Sequence, residues 1–140
     1  MKFRLLSLLL LSAATHLSAG VNCEGSSNCR FGTTTTASSL AAYINTIGDL
    51  VWYNNGDHIA CVGLVAGGRF CAFVQGSPGG GLGVIDIKPL AAAIVAHGCK
   101  TCGSQPFFDG SPGLLTFNWV QPDESKAQFC DGVCQPGGVQ

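Results

Sequence analysis

Leu40, Ile44, Ile47 and Val51 recur at i, i+4, i+7 and i+11. That spacing lays apolar side chains along one face of an amphipathic helix and predicts one from about Ala37 to Leu50. The threonines between Phe31 and Thr36 are available to cap it, and Asn54-Asn55-Gly56-Asp57 breaks the pattern. His58 to Val65 and Arg69 to Gln75 read as strands, with Gly67-Gly68 between them as a hairpin signal. Gly76 to Gly83 carries Pro78 and five glycines and predicts a loop. Ile87, Leu90, Ala91, Ile94 and Val95 form the buried stripe of a second helix. Asp86 is its expected cap, Pro89 is tolerated in its first turn, and Gly98 is a natural stop. Cys99 to Gly113 reads as irregular, and Leu114 to Val120 alternates, with Leu115, Phe117 and Trp119 on one side of a strand. With a short apolar opening at Val21, the order is β-α-β-β-α-β. This is the split βαβ plan, an α+β sandwich in which two helices pack on an antiparallel sheet.

The first twenty residues stand outside that pattern. Lys2 and Arg4 precede the apolar run Leu5–Leu11, and Ser18-Ala19-Gly20 offers small residues for cleavage. This is the layout of a secretory signal peptide, and the run is too short to span a bilayer. Residues 1–20 are therefore expected to be removed, leaving a single domain over 21–140 whose last part, 121–140, is a polar, weakly ordered tail. No later stretch is apolar enough for a membrane span. The expected mature chain keeps five basic residues against all eight acidic ones, a net charge of −3. A nucleic-acid binder needs a basic surface, so that class is excluded.

Eight cysteines lie in the mature part: Cys23, Cys29, Cys61, Cys71, Cys99, Cys102, Cys130 and Cys134. An even count behind a secretory signal reads as four disulfides formed in an oxidising space, with no free thiol and an extracellular location. Cys99-Lys100-Thr101-Cys102 also prompts zinc or redox readings. Zinc would want a second close pair, and Cys23 and Cys29 are too far apart in sequence. A thioredoxin-like pair would precede a helix, whereas this one follows a predicted helix. The sequence implies no metal and no cofactor.

Candidate chemistry is sparse. His97 falls at the end of the second helix, where an imidazole complements the helix dipole. Nothing in the spacing makes His58 and His97 converge with an acid or a nucleophile, so the chain does not read as an enzyme. Arg69, Lys100 and Arg30 could form a small basic contact patch. Phe107, Phe108, Phe117 and Trp119 read as core. There is no internal repeat and no N-glycosylation sequon.

Several stretches resemble the fungal killer toxin family of killer protein four. They are Asn22-Cys23, Gly25-Ser26-Ser27 and Cys29; Cys61; Ala72-Phe73-Val74-Gln75; His97-Gly98-Cys99-Lys100-Thr101-Cys102-Gly103-Ser104; and Leu115-Thr116-Phe117-Asn118-Trp119-Val120. The resemblance implies two helices on an antiparallel sheet. It also implies a secreted antifungal toxin that inhibits calcium uptake by binding a membrane channel protein of the target cell; the chain itself is expected to be a monomer. A secreted effector that binds a host protein is the alternative on the same scaffold. The family's cysteine arrangement implies that Cys23 pairs with Cys99 and Cys29 with Cys102. Cys61, Cys71, Cys130 and Cys134 are then left to pair among themselves. A two-residue turn at Gly67-Gly68 would set Cys71 against Leu64, which favours bridges from the hairpin to the tail. Arg69 and Lys100 are the expected partner-binding residues. The position two before Cys61, where the resemblance would put a basic residue, holds Ile59. Neither the Cys-Cys doublets of hydrophobins nor the Cys-x-Cys element of haem-binding eight-cysteine modules occurs.

Overall fold

The computed structural model of the chain describes residues 20–65, 67–121 and 133. All but the last residue of the expected signal peptide, and all of the expected tail but residues 121 and 133, with Cys130 and Cys134, lie outside the described residues.

The α+β class holds. Two helices, α1 (Thr36–Ile44) and α2 (Val84–His97), pack on one face of an antiparallel sheet. That sheet comprises β2 (His58–Val65), β3 (Gly68–Gln75), β5 (Gly103–Pro106) and β6 (Leu114–Val120), in the order β2-β3-β6-β5. A separate two-stranded ribbon, β1 (Trp52–Asn54) with β4 (Gly81–Gly83), was not foreseen from the sequence. The core fills the space between helices and sheet: Leu40 and Ile44 from α1, Ile87, Leu90 and Ile94 from α2, and Phe70, Val74, Leu115 and Phe117 from the strands.

The expected first strand is reduced to one bridge, Asn22 to Ser104, followed by a 3₁₀ turn at Ser27–Phe31. The short polar stretch between Cys23 and Cys29 cannot stay extended, because both cysteines must reach the end of α2. Helix α1 stops at Ile44, earlier than its apolar pattern suggests. There the Thr46 hydroxyl donates to the Tyr43 carbonyl at 2.7 Å, and the Ile47 amide bonds back to Ile44 in a tighter turn. Ile47 still packs against the core, so the periodicity was a true burial signal that outran the helix.

Asp86 does not cap α2. The helix begins at Val84, directly out of β4, with Gly83 in the cap position, and Pro89 consequently sits inside it. No side-chain cap is needed, since the Val84 amide donates to the Val51 carbonyl at 2.9 Å. Helix α1 solves the same problem likewise: Thr35 makes no side-chain cap bond, and the Ala37 amide donates to the Lys100 carbonyl at 2.8 Å. Both helix starts therefore satisfy an otherwise orphaned amide through a distant backbone segment. At its other end α2 terminates as expected, on Gly98 at φ 102°, in the left-handed conformation that glycine adopts without a steric penalty.

The hairpin between β2 and β3 corrects one expectation. The turn is closed by Val65 opposite Gly68, not by Gly67-Gly68 as its central pair. One register shift follows between Val62 and Val65, beside Gly63 at φ 72°, and a second lies beyond Cys61, between His58 and Ala60. An extra residue on the bulged strand shifts the pairing by one. The turn position moves the register by two and the first shift by one more, so Cys71 stands opposite Cys61 instead of Leu64, and the two form a disulfide. The hairpin is stapled to itself and not to the tail.

Candidate functional site

The carbonyl-to-amide bond from Lys100 to Ala37 marks one end of the molecule. Here the 3₁₀ turn lies against the end of α2 and the start of β5. Its cap residue, Ser26, accepts from the Asn28 amide through its hydroxyl, and its own amide donates to the Asn118 side chain at 2.9 Å. Gly25 fits because a Cβ there would come within 2.9 Å of Asn118, Cys29 and Cys102. Gly32 packs so closely on Thr101 that a Cβ would lie 2.1 Å from its methyl group. Only glycine permits these approaches.

Two disulfides lock this arrangement: Cys23 to Cys99, with Cα atoms 5.1 Å apart, and Cys29 to Cys102, at 5.9 Å. Both match the pairing that the family resemblance implied, and every cysteine among the described residues is bridged. The sulfurs of Cys99 and Cys102 are thus bonded elsewhere. They offer neither two thiolates for zinc nor a Cys-x-x-Cys redox pair. His58, Cys61 and Cys71 also bring their ligand atoms within 4.8 Å of one another. With both sulfurs joined in a disulfide, that group lacks the thiolates a metal would require.

Three cations surround the clamped end. Lys100 is exposed between Cys99 and Cys102. Arg30 is exposed, its guanidinium 4.6 Å from the centre of the Phe31 ring, within cation–π range. Arg69, the second residue of β3, stands opposite Val120 and is half-buried. Its neighbour Phe70 and Lys100's neighbour Thr101 both lie against Gly32, which brings the two backbones toward the same end, with Arg69 on the sheet face opposite the core-facing Phe70.

His97 is the exposed last residue of α2, as the dipole reading expects. His58 is on the opposite face of the sheet, its ring 6.0 Å from that of Phe73. The sheet separates the two histidines, so no acid–base pair forms between them. Ile59 is fully buried in the core.

The opposite end was not legible as a site. Phe107 is buried, but Phe108 is 62% exposed, which corrects its assignment to the core. Leu50, Trp52 and Ile85 are also exposed there, around the β1–β4 ribbon. Asp86 and Asp109 face a cleft between α2 and the turn after β5. The Ser111 hydroxyl donates to Asp109 Oδ1 at 2.6 Å and the Ser111 amide at 2.9 Å. These bonds hold the Asp109 carboxyl below the usual carboxylate pKa. The one ion pair among the described residues, Lys88 with Asp49, also lies at this end.

No helix among the described residues is long and apolar enough to cross a membrane. None of the curated proteins compared with the chain matches it. A family model, Kp4, does match, over residues 5–121. It covers the 3₁₀ turn, the helices, strands and disulfides of the described residues, and the chain belongs to the Kp4 (killer protein 4) family of toxins.

Proposed function

We propose that this chain is a secreted killer-toxin-like protein that stops the growth of other fungi by blocking calcium uptake, and that it acts by binding and not by catalysis. Membership of the Kp4 toxin family carries this reading. The contact surface is the clamped end, with Arg69 and Lys100 as its principal charges and Arg30 beside them. Cations in that position suit the acidic mouth of a cation channel, and long-range attraction would speed encounter with it. Ile59 is buried and unavailable for contact. Arg69 stands two residues before Cys71, the other half of the bridge that Cys61 forms, on a backbone fixed by pairing to β6.

Purified mature protein applied to growing fungal cells, with and without excess calcium, tests the reading. Growth arrest that calcium relieves is the expected result. In the Arg69→Ala/Lys100→Ala double variant the exposed Lys100 contributes less than ~0.5 kcal/mol to stability and the half-buried Arg69 more, so folding is checked by far-UV circular dichroism, and the folded variant should lose the arrest. An unchanged arrest would remove this surface from the mechanism. Failure to inhibit at any dose, with capture of a host protein, would favour the effector alternative.

A further inference from the structure

We propose that the cleft at the ribbon end is a recognition pocket for one arginine side chain presented by a partner polypeptide. The cleft has a volume of about 230 Å³. That is smaller than the 300–1,000 Å³ typical of small-molecule sites, and it matches one long side chain better than a drug-sized ligand. Its floor is apolar: Leu90 and Phe107 are buried, and Leu82 is half-buried beside them. Its rim is of another kind. Phe108 projects into solvent at 62% exposure, and Asp86 and Asp109 supply two carboxylates.

Neither carboxylate makes an ion pair among the described residues. Lys88, the cation nearest in sequence, is engaged by Asp49 instead. An apolar floor with an aromatic edge and two negative charges is complementary to a cation on an apolar stem. A planar guanidinium meets those demands together, since it stacks on a ring and pairs with carboxylates in a fork. An ammonium would satisfy the charge but stack less well.

The cleft is built and not incidental. Gly113, at φ 126°, lets Phe107 reach its buried position, because a Cβ there would lie 2.5 Å from the Phe107 ring. The Gly110 amide donates to the Phe107 carbonyl, closing the turn that presents Phe108 and Asp109. Asp109 is fixed by its two bonds from Ser111. The site is independent of the clamped end: α2 has 14 residues, so its two ends are about 20 Å apart.

Amide chemical-shift mapping of the full mature protein tests the proposal. The probes are a blocked Gly-Arg-Gly tripeptide, its citrulline counterpart, which lacks the charge, and free butylguanidine. The arginine peptide should shift amides in Asp86–Leu90 and Phe107–Ser111 and leave the Lys100 region unmoved. Phe108→Ala and Asp109→Asn should each weaken it about two- to fivefold, the exposed-site range for one cation–π or charge contact. Shifts spread over the whole surface, equal binding of the citrulline peptide, or undiminished affinity in an Asp86→Asn/Asp109→Asn variant would overturn the pocket. Tighter binding of butylguanidine than of the peptide would overturn the polypeptide as its source. The growth assay does not enter this test, so its failure and the failure of the toxin reading are separable.

Discussion

The two ends of α2 are held by different means. At its C-terminal end, Cys99 and Cys102 are bridged to the N-terminal segment, and the Lys100 carbonyl accepts from the Ala37 amide in the first turn of α1. At its N-terminal end no described disulfide is present, and Val84 is joined to the β1–β4 ribbon by a backbone hydrogen bond. Charge is biased along the same axis: Arg30, Arg69 and Lys100 outnumber Glu24 toward the clamped end, whereas Asp49, Asp57, Asp86 and Asp109 outnumber Lys88 toward the ribbon end. Covalent bracing thus coincides with the cationic surface, and hydrogen-bonded, three-residue strands coincide with the acidic, aromatic one. A surface that must keep its charges in place gains most from cross-links, because each bridge restricts the alternatives available to the unfolded chain. Among the described residues the ribbon end has no such restraint, and it is the part expected to open first.

The largest expected effect breaks the clamp. Cys23–Cys99 and Cys29–Cys102 span 76 and 73 residues, against 10 for Cys61–Cys71. The two long bridges interleave along the chain: with one closed, the other closes only the short stretches between neighbouring cysteines. Removing either pair alone should therefore cost about 2–3 kcal/mol, and removing both about 5–7 kcal/mol, a value close to the whole stability of many domains. Urea denaturation of the two single-pair and the double-pair alanine variants measures this. Equal losses in the single and double variants would show that the clamp acts as one link. Removing Cys61–Cys71 should cost about 2–3 kcal/mol, since it closes a loop already held by a hairpin.

This contrast also explains what the sequence revealed and what it hid. The second helix and β6 were legible because their signals are local: a buried stripe, a glycine stop and alternation through Leu115, Phe117 and Trp119. The hairpin strands were legible, but their register was not. Bulges depend on pairing geometry that composition does not encode, so the Cys61–Cys71 bridge was missed. The ribbon was invisible for a related reason. Trp52–Asn54 and Gly81–Gly83 are too short to carry a period, and they become strands only by meeting each other. On the site side, the cations of the clamped end stood out beside cysteines. The cleft did not, because Asp86 resembled a helix cap and Phe108 a core residue until their exposure was known.

A smaller effect sharpens the picture of the ribbon end. A Cβ on Gly81 would lie 2.2 Å from the Tyr53 carbonyl oxygen and 2.8 Å from the Asn54 Cα, both backbone atoms that cannot swing away. Gly81→Ala should therefore cost about 1–3 kcal/mol, the range for forced overpacking. It should also speed hydrogen exchange at the β1–β4 amides while leaving those of β3 and β6 protected. Gly48→Ala is the control, because nothing lies within 4 Å of a Cβ there. If Gly81→Ala loosened the clamped end equally, the two ends would be one cooperative unit and the contrast between them would fail.

The smallest effect concerns Asp109, whose carboxyl is held below the usual value of 3.8 by the Ser111 hydroxyl first and the Ser111 amide second. A carboxylate with a depressed folded-state pKa adds stability above its unfolded value and loses that contribution as pH falls through the folded one. Asp109 is fully exposed, so solvent screens the effect and the melting temperature should not register it. The titration itself should. In Ser111→Ala the hydroxyl bond is gone and the amide bond remains, so the Asp109 pKa should rise toward 3.8 without reaching it, as carboxyl ¹³C shifts followed from pH 7 to pH 2 would show. The arginine peptide, if it sits in the cleft, should lower that pKa further by favouring the charged form. An Asp109 titration indifferent to both Ser111 and the peptide would mean that the turn does not hold its carboxylate toward the cleft. The ribbon end would then differ from the clamped end only in lacking a described disulfide, and not in what it recognises.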